Sequence, residues 1–235
     1  MSKKYFGYSE LNEAYELSLD NANQLYQDAS ILFDNSSFSH AYALFQLSRE
    51  ESGKCLLIQH AMLYSALGIK VDYRWLTRMG FVDHVSKTRN SLGLENLIIS
   101  FVERMEFVEL LKLHEDIEGT AMNIKQTDKL KNSSLYVGFN GSKFVPPSQV
   151  ISKEMVREME LSANVCIWAA KAIRLTEGAL AKMVDYLRNS IDRERTELID
   201  RLKAILCNVF EKKGGFCIIP WIKMLNYTSI STKLS

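Results

Sequence analysis

Apolar residues recur three and four positions apart along most of this chain, which is the spacing of one buried face of an α-helix. The first such helix begins after Ser9, a candidate N-cap, and the second runs from about Ser37 to Ala66, just before Gly68. Only the turn at residues 34–37 separates the two helices. They are therefore predicted to form an antiparallel helical hairpin.

Helical periodicity continues through the rest of the chain. It returns after Gly93 and extends toward Leu130, with a break near Gly119. A long helix is predicted over residues 152–187 and a further helix over residues 192–210. The whole pattern predicts an all-α fold, built as an antiparallel helical bundle.

The helical pattern is interrupted at residues 134–147, where β-prone residues flank the dipeptide Asn140-Gly141. Asn-Gly in such a setting is typical of a tight hairpin turn. We predict a short β-hairpin or ordered loop at this point. The main helical domain is expected over residues 9–189, with residues 190–235 forming a C-terminal helix and an irregular tail that packs on it.

Composition narrows the class of protein. With 29 basic and 28 acidic residues the net charge is +1, so no overall field attracts nucleic acid. The four cysteines lie far apart or outside any CxxC spacing, as expected for reduced thiols. Neither a signal peptide nor an apolar run of membrane-spanning length is found. We expect a cytoplasmic protein with no membrane partner.

Glu51 interrupts the apolar stripe of the second helix, in a sequence that reads SREESGKCLL. A lone buried carboxylate must be paired, protonated or hydrogen-bonded. Gly53, two residues later, costs about 1 kcal/mol relative to alanine in a helix interior. Two local penalties in a strong helix indicate either a functional site or an ion pair at a helix–helix contact.

Candidate chemistry lies in the basic segment at residues 70–89, which contains Arg78 and His84. A histidine can remove the proton from a ribose 2′-hydroxyl, and an arginine can hold the scissile phosphate, so the pair is suited to RNA cleavage without a metal. Arg74 and Arg89 of the same segment are candidates for binding the RNA substrate.

Helix geometry limits this pairing. On an unbroken helix, Arg78 and His84 lie roughly 120° apart, so they converge only if Gly80 breaks the helix or a second subunit completes the site. His84 and Lys87, by contrast, share a face at positions i and i+3.

The face that carries His84 and Lys87 could meet Glu51 and Lys54 of the second helix. Glu51, Lys54 and Lys87 would then support the Arg78–His84 site as a polar network. The alternative is a buried network that only fixes the packing.

Other kinds of site lack their sequence motifs. The chain has no Glu-x-x-His or His-x-x-x-His pair, no Gly-rich phosphate loop and no nucleophile elbow. We therefore expect neither a metal nor a cofactor.

Several ordered segments resemble a known family. Residues 21–57, NANQLYQDASILFDNSSFSHAYALFQLSREESGKCLL, resemble the first two helices of the AbiV abortive-infection proteins, which belong to the HEPN superfamily. The similarity continues in DYRWLTRMGFVDHVSK and in LYVGFNGSKFVPPSQVI. It covers residues 11–187, and nothing beyond residue 189 has a counterpart.

The resemblance implies a HEPN-type bundle that acts in bacterial defence against phage, commonly as a homodimer. Many members of the superfamily are metal-independent endoribonucleases that carry Arg-x4–6-His, and by position Arg78 and His84 would be the catalytic pair. Glu51 and Lys54 match the family's Glu-Glu-x-Gly-Lys element, and His84 with Lys87 matches its His-x-x-Lys element.

Two functions remain open at this point. The chain is either a ribonuclease toxin that halts host growth or translation, or a non-catalytic interaction protein that binds a phage or host component and blocks translation. The expected partners are a second copy of the chain, RNA and a phage-encoded activator. In the second case, exposed apolar residues such as Phe216, Ile219 or Trp221 would form the contact.

Overall fold

The fold is an all-α bundle with one small hairpin, as predicted. The computed structural model describes residues 4–102 and 121–191. The predicted helix at 192–210, the domain at 190–235, the break near Gly119 and the apolar tail residues lie outside this part of the chain. The described helices are α1 (Tyr8–Asp34), α2 (Phe38–Ala66), α3 (Tyr73–Arg78), α4 (His84–Val102), α5 (Ala121–Leu135), α6 (Lys153–Ala172) and α7 (Glu177–Ile191).

The hairpin predicted around Asn140-Gly141 is also confirmed. Strands β1 (Gly138–Phe139) and β2 (Phe144–Val145) pair antiparallel, and a 3-10 turn at Pro147–Gln149 leads toward α6. Gly141 has a φ of +94°, the left-handed conformation that a tight turn requires and glycine adopts readily.

Helices α1 and α2 form the predicted antiparallel pair. The Ser48 hydroxyl donates to the carbonyl of Ala22 at 2.7 Å, and the Ser65 hydroxyl donates to the carbonyl of Phe6 at 2.9 Å. The later residue of α2 therefore contacts the earlier part of the chain, so the two helices run antiparallel. Ser9 was predicted as the N-cap of α1, but the helix begins at Tyr8 and its N-cap is Gly7, two residues earlier.

Helix α2 is the centre of the bundle, packed against α1, α4, α5 and α6. Twenty of its 29 residues are buried, so it has no single buried stripe. The expectation of one apolar face on α2 was wrong, since a helix enclosed on all sides buries every face. This enclosure brings further polar residues of α2 into the interior.

Gly53 lies where α2 and α4 cross. A Cβ atom at this position would lie 2.3 Å from the carbonyl oxygen of Lys87 and 2.9 Å from the backbone nitrogen of Ser91. Any side chain here would push the two backbones apart. The glycine that costs helix stability in α2 thus allows the close approach of α4.

The single long helix predicted over residues 152–187 is wrong. The chain forms α6 and α7 instead, with a break after Ala172. Thr176 begins the second helix, because its hydroxyl accepts a hydrogen bond from the backbone N–H of Ala179 at 3.2 Å. The break lets Leu180 and Met183 turn back into the main apolar core. None of the helices in the described ranges has the length and hydropathy that crossing a bilayer requires.

Candidate functional site

Glu50, on α2, is the most deeply buried carboxylate of the candidate site, with a side-chain exposure of 0%. Its Oε2 lies 2.5 Å from Nδ1 of His84, and its Oε1 lies 2.9 Å from Nζ of Lys131. Lys87 is farther away, with Nζ 3.7 Å from Oε2. Gln46, one turn earlier on α2, donates to Oε1 at 3.4 Å. We call these five residues the Glu50 cluster.

The two lysines of the Glu50 cluster are buried but differ electrostatically. Burial lowers the pKa of Lys87, and the nearby Glu50 only partly opposes this. Burial also acts to lower the pKa of Lys131, but hydrogen bonds to Asp128 and Glu50 outweigh it, and the pKa is raised. Lys131 is therefore the firmly charged partner of Glu50, whereas Lys87 is held in its charged form less strongly.

The charges in and around the cluster balance when His84 is protonated. Four carboxylates then face three ammonium groups and one imidazolium. The groups other than His84 are Glu50, Glu51, Asp83, Asp128, Lys54, Lys87 and Lys131.

His84 is the exposed member of the cluster, with 53% of its side chain accessible, and it is the first residue of α4. An ionised carboxylate can only accept hydrogen bonds, so Nδ1 of His84 donates to Glu50. Nε2 is then the nitrogen left to accept a proton. The ring is held by the protein interior on one side and reaches solvent on the other.

The chain before His84 makes a sharp turn. Gly80 has a φ of +91°, and a Cβ atom there would lie 2.2 Å from the Cβ of Ser86, so glycine is required. Asp83 then caps α4, because its carboxylate accepts from the backbone N–H of Ser86 at 2.7 Å. Although burial opposes it, hydrogen bonds from Ser86 hold the pKa of Asp83 below its usual value.

Of the three supporting residues predicted from the sequence, Lys87 belongs to the Glu50 cluster, and Glu51 and Lys54 lie next to it. Lys54 Nζ lies 2.8 Å from the Glu51 carboxylate, and Lys87 Nζ lies 3.9 Å from it. Glu51 is only partly buried, at 13% side-chain exposure. The carboxylate at the centre of the network is therefore Glu50, one position before the residue singled out from the sequence.

The predicted arginines are spread around this region. Arg78 is exposed at the end of α3, and the break at Gly80 separates α3 from α4. Arg78 forms no ion pair with any residue of the described ranges. Arg74 is exposed on α3, while Arg89 is half-buried on α4 and lies about 140° around that helix from His84. The structure does not bring Arg89 to the face of α4 that carries His84.

A second buried ion pair ties the same helices together. Arg49 of α2 donates two hydrogen bonds, of 3.0 and 3.1 Å, to the carboxylate of Glu95 on α4. Ser162 of α6 also donates to Glu95. Burial acts to lower the pKa of Arg49, but the Glu95 carboxylate outweighs it and the pKa is raised. The Arg49 side chain is 6% exposed and that of Glu95 is 18% exposed, and the pair fixes α4 against α2 and α6.

Sequence reasoning missed Glu50, Lys131 and Gln46. Glu50 had a signal, because it is the first glutamate of the Glu-Glu-x-Gly-Lys element and stands one turn after another polar residue, Gln46. No sequence signal points to Lys131, because it lies in a lysine-rich stretch beside Lys129. Within the described residues, no three His, Cys, Asp or Glu side chains are grouped so as to hold a metal ion.

Comparison with known proteins gave one match. The model of the AbiV family matches residues 10–168, about two thirds of the chain. Neither the curated proteins nor the solved structures gave a significant match. The matched region runs from α1 into α6 and contains the entire Glu50 cluster. This chain therefore belongs to the AbiV family of the HEPN superfamily, a family of abortive-infection proteins that defend bacteria against phage.

Proposed function

We propose that this protein halts the growth of infected cells by cleaving RNA without a metal ion, and that His84 transfers the proton. In this reaction, Nε2 of His84 takes the proton of a ribose 2′-hydroxyl. The 2′ oxygen then bonds to phosphorus as the bond to the 5′ oxygen breaks, and the leaving oxygen takes up a proton. The products are a 2′,3′-cyclic phosphate and a 5′-hydroxyl.

The observation that carries this proposal is the contact of 2.5 Å between His84 and Glu50. A general base needs a fixed ring orientation and a defined tautomer, and a buried carboxylate bonded to Nδ1 supplies both. A histidine with only a packing role would be expected to lie in the interior. Instead, half of the His84 side chain is accessible to solvent.

Arg78 is the proposed phosphate ligand. It ends α3, and the turn at Gly80 removes the objection that an unbroken helix would hold Arg78 and His84 on different faces. Its guanidinium is exposed and unpaired with respect to the described residues, so a phosphate would not have to displace a carboxylate.

We further propose that the active form is a homodimer, with Arg78 and His84 of both subunits lining one cleft. A phage-encoded protein would release the activity on infection, and the reaction would take place in the cytoplasm.

The experiment that tests this proposal uses purified wild type, Arg78→Ala and His84→Ala, each incubated with total cellular RNA and tRNA in EDTA. Cleavage by wild type alone is the expected result. Arg157→Ala, which removes an exposed arginine from α6, is the matched control and is expected to cleave normally. Melting curves on the same samples test the folding of each variant. Cleavage by His84→Ala at the wild-type rate would contradict the proposal.

A second candidate function is supported by the hairpin. Phe139 and Phe144 face each other across β1 and β2 with ring centroids 5.3 Å apart, yet they are 62% and 76% exposed. Tyr136 and Val137, just before β1, are equally exposed. Apolar clusters of this kind often bind other proteins. A non-catalytic AbiV protein would use such a surface to bind a phage or host component and block translation.

The two functions make opposite predictions for one pair of variants. If the hairpin alone carries the function, Phe139→Ser with Phe144→Ser abolishes growth arrest in infected cells and His84→Ala does not. If RNA cleavage carries it, His84→Ala abolishes growth arrest.

A further inference from the structure

Helix α3 presents a surface that is both aromatic and basic, a few residues before His84. Tyr73 is 57% exposed, and Arg74 and Arg78 are exposed on the same helix. At 100° per residue, these three side chains and Thr77 lie within an arc of about 140° around the helix axis. We call Tyr73, Arg74, Thr77 and Arg78 the α3 face.

The α3 face carries positive charge that the nearby carboxylates do not neutralise, because both carboxylates cap helices. Asp72 caps α3 and accepts from the backbone N–H of Trp75 at 2.7 Å. Asp83 caps α4 and accepts from the backbone N–H and the hydroxyl of Ser86, each at 2.7 Å. Among the described residues, neither aspartate forms an ion pair with an arginine of the α3 face. Both guanidinium groups are therefore available to an anion.

The opposite side of α3 is firmly held. Leu76 is buried in the main apolar core, and the indole ring of Trp75 packs edge-on against Tyr64 of α2 with ring centroids 5.5 Å apart. After the helix, the backbone N–H of Phe81 donates to the carbonyl of Leu76 at 3.0 Å. These contacts fix the orientation of α3, so the α3 face is a rigid, outward-facing platform.

Exposed cationic and apolar side chains continue on both sides of the α3 face. Lys70 is exposed, and its Nζ lies 5.4 Å from the ring centroid of the exposed Tyr5. Ile69 precedes the helix and Val82 follows it, and both are about half exposed. Basic residues thus alternate with apolar and aromatic residues from residue 69 to the proposed base at residue 84.

This combination favours single-stranded RNA over an acidic peptide or an RNA duplex. An acidic peptide would pair with the arginines but would give the exposed ring no matching partner. The bases of an A-form duplex are stacked inside the helix, where a protein ring cannot reach their faces. An unpaired strand offers both phosphates for the arginines and open base faces for the ring.

We propose that Tyr73 stacks on an unpaired base of the RNA substrate while Arg74 binds a phosphate of the same strand. This inference rests on the proposed function, because it takes RNA as the substrate, and it adds the residue that restricts binding to unpaired nucleotides. Arg78 and His84 would then meet the phosphodiester bond farther along the same strand.

The test is fluorescence anisotropy on the full chain with a short labelled 2′-O-methyl RNA, used as a single strand and annealed to its complement. The methyl group removes the nucleophile, so the probe cannot be cleaved and binding is measured alone. The single strand is expected to bind at least tenfold more tightly than the duplex, which corresponds to the loss of one stacked base.

Two substitutions of Tyr73 separate stacking from simple apolar contact. Tyr73→Phe keeps the ring and is expected to bind like wild type, whereas Tyr73→Leu keeps the apolar bulk without the ring and is expected to bind about tenfold more weakly. Arg74→Gln is expected to weaken binding and to lower the salt slope of log K by about 1. Trp168→Leu, which removes an exposed aromatic ring from α6, is the matched control and is expected to bind normally.

The proposal is overturned if wild type does not bind the single strand, if the duplex binds equally well, or if Tyr73→Leu with an unchanged melting temperature binds like wild type. Failure of the proposed function gives a different result. A wild type that binds the probe as predicted but cuts no RNA in EDTA would refute cleavage and support the α3 face as a binding surface. Equal cleavage of RNA by wild type and Tyr73→Leu would refute stacking on Tyr73 and leave cleavage standing.

Discussion

Glu50 and His84 are joined by a contact of 2.5 Å although their surroundings differ completely, since Glu50 is fully buried and His84 is half exposed. The contact links the central helix α2 to the first residue of α4. A buried negative charge is thus placed directly behind an accessible imidazole. Two buried lysines hold that negative charge in the interior, so the stability of the fold and the proposed chemistry depend on the same carboxylate.

Glu50→Gln is expected to lower the free energy of unfolding by about 3 kcal/mol or more. The amide keeps the shape of the side chain but removes the one fully buried carboxylate that faces both Lys131 and Lys87. Urea unfolding measures the change. Glu51→Gln is the matched control, and because Glu51 is partly exposed it is expected to cost only about 1 kcal/mol. Equal losses in the two variants would mean that Glu50 is not the centre of the network.

The two lysines should respond differently to removal of their charge. Lys131→Met is expected to destabilise the fold by about 3 kcal/mol, because it removes the nearest cation, at 2.9 Å, from a buried carboxylate. Lys87→Met is expected to change stability by less than about 1 kcal/mol, because burial of that ammonium already opposes its interaction with Glu50. Chemical denaturation of both variants tests this order, and the reverse order would contradict the assignment of Lys131 as the main partner.

The same two lysines predict opposite responses to alkaline pH. The pKa of Lys131 is raised above its ordinary value of 10.5, so its contribution to stability is complete below that pH and is lost as the pH rises through the folded-state pKa. The pKa of Lys87 is lowered, so its charged form costs stability and that cost disappears as the pH rises. Melting temperatures between pH 9 and pH 12, within about 1.5 units of the ordinary lysine value, report both effects.

In that experiment, wild type is expected to gain stability from the deprotonation of Lys87 as the pH rises toward 10.5, and Lys87→Met is expected to lack this gain. Above pH 10.5, Lys131→Met is expected to lose stability less steeply than wild type, because the effect of Lys131 is absent. Tyrosine ionisation is common to all three proteins and does not affect the comparison. Parallel curves for the two variants would show that neither lysine has a shifted pKa in the folded state.

Gly53→Ala is expected to destabilise the protein by about 2 kcal/mol, because the added Cβ would lie 2.3 Å from the carbonyl oxygen of Lys87 and would force α2 and α4 apart. Gly178→Ala in α7 is the matched control. No atom lies within 4 Å of the position that its Cβ would take, so helix propensity should make it neutral or slightly stabilising. Thermal melting distinguishes the two, and a stabilised Gly53→Ala would refute the close-approach explanation.

The sequence predicted the helical bundle and the hairpin, because both depend on local patterns. Apolar spacing gave the helices, and Asn140-Gly141 gave the turn. These features are encoded within a few residues of each other. A single sequence carries such signals clearly.

The central carboxylate could not be identified in the same way. Helical periodicity assigned Glu51 to the buried face because it assumed that α2 buries one stripe, whereas α2 is enclosed on all sides and buries Glu50. Lys131 reaches Glu50 across 81 positions of sequence, and no local pattern encodes such a contact. The break after Ala172 was missed because a single threonine, Thr176, caps α7 within an otherwise continuous helical pattern.

The most direct test of the central claim is to identify the ends of RNA cut in EDTA by wild type and by a folded His84→Ala protein. The proposed reaction, with the 2′-hydroxyl as nucleophile and His84 as base, predicts 2′,3′-cyclic phosphate and 5′-hydroxyl ends from wild type and no cleavage by His84→Ala at the same melting temperature. Ends that carry a 3′-hydroxyl and a 5′-phosphate, or the same cyclic ends from His84→Ala, would contradict it.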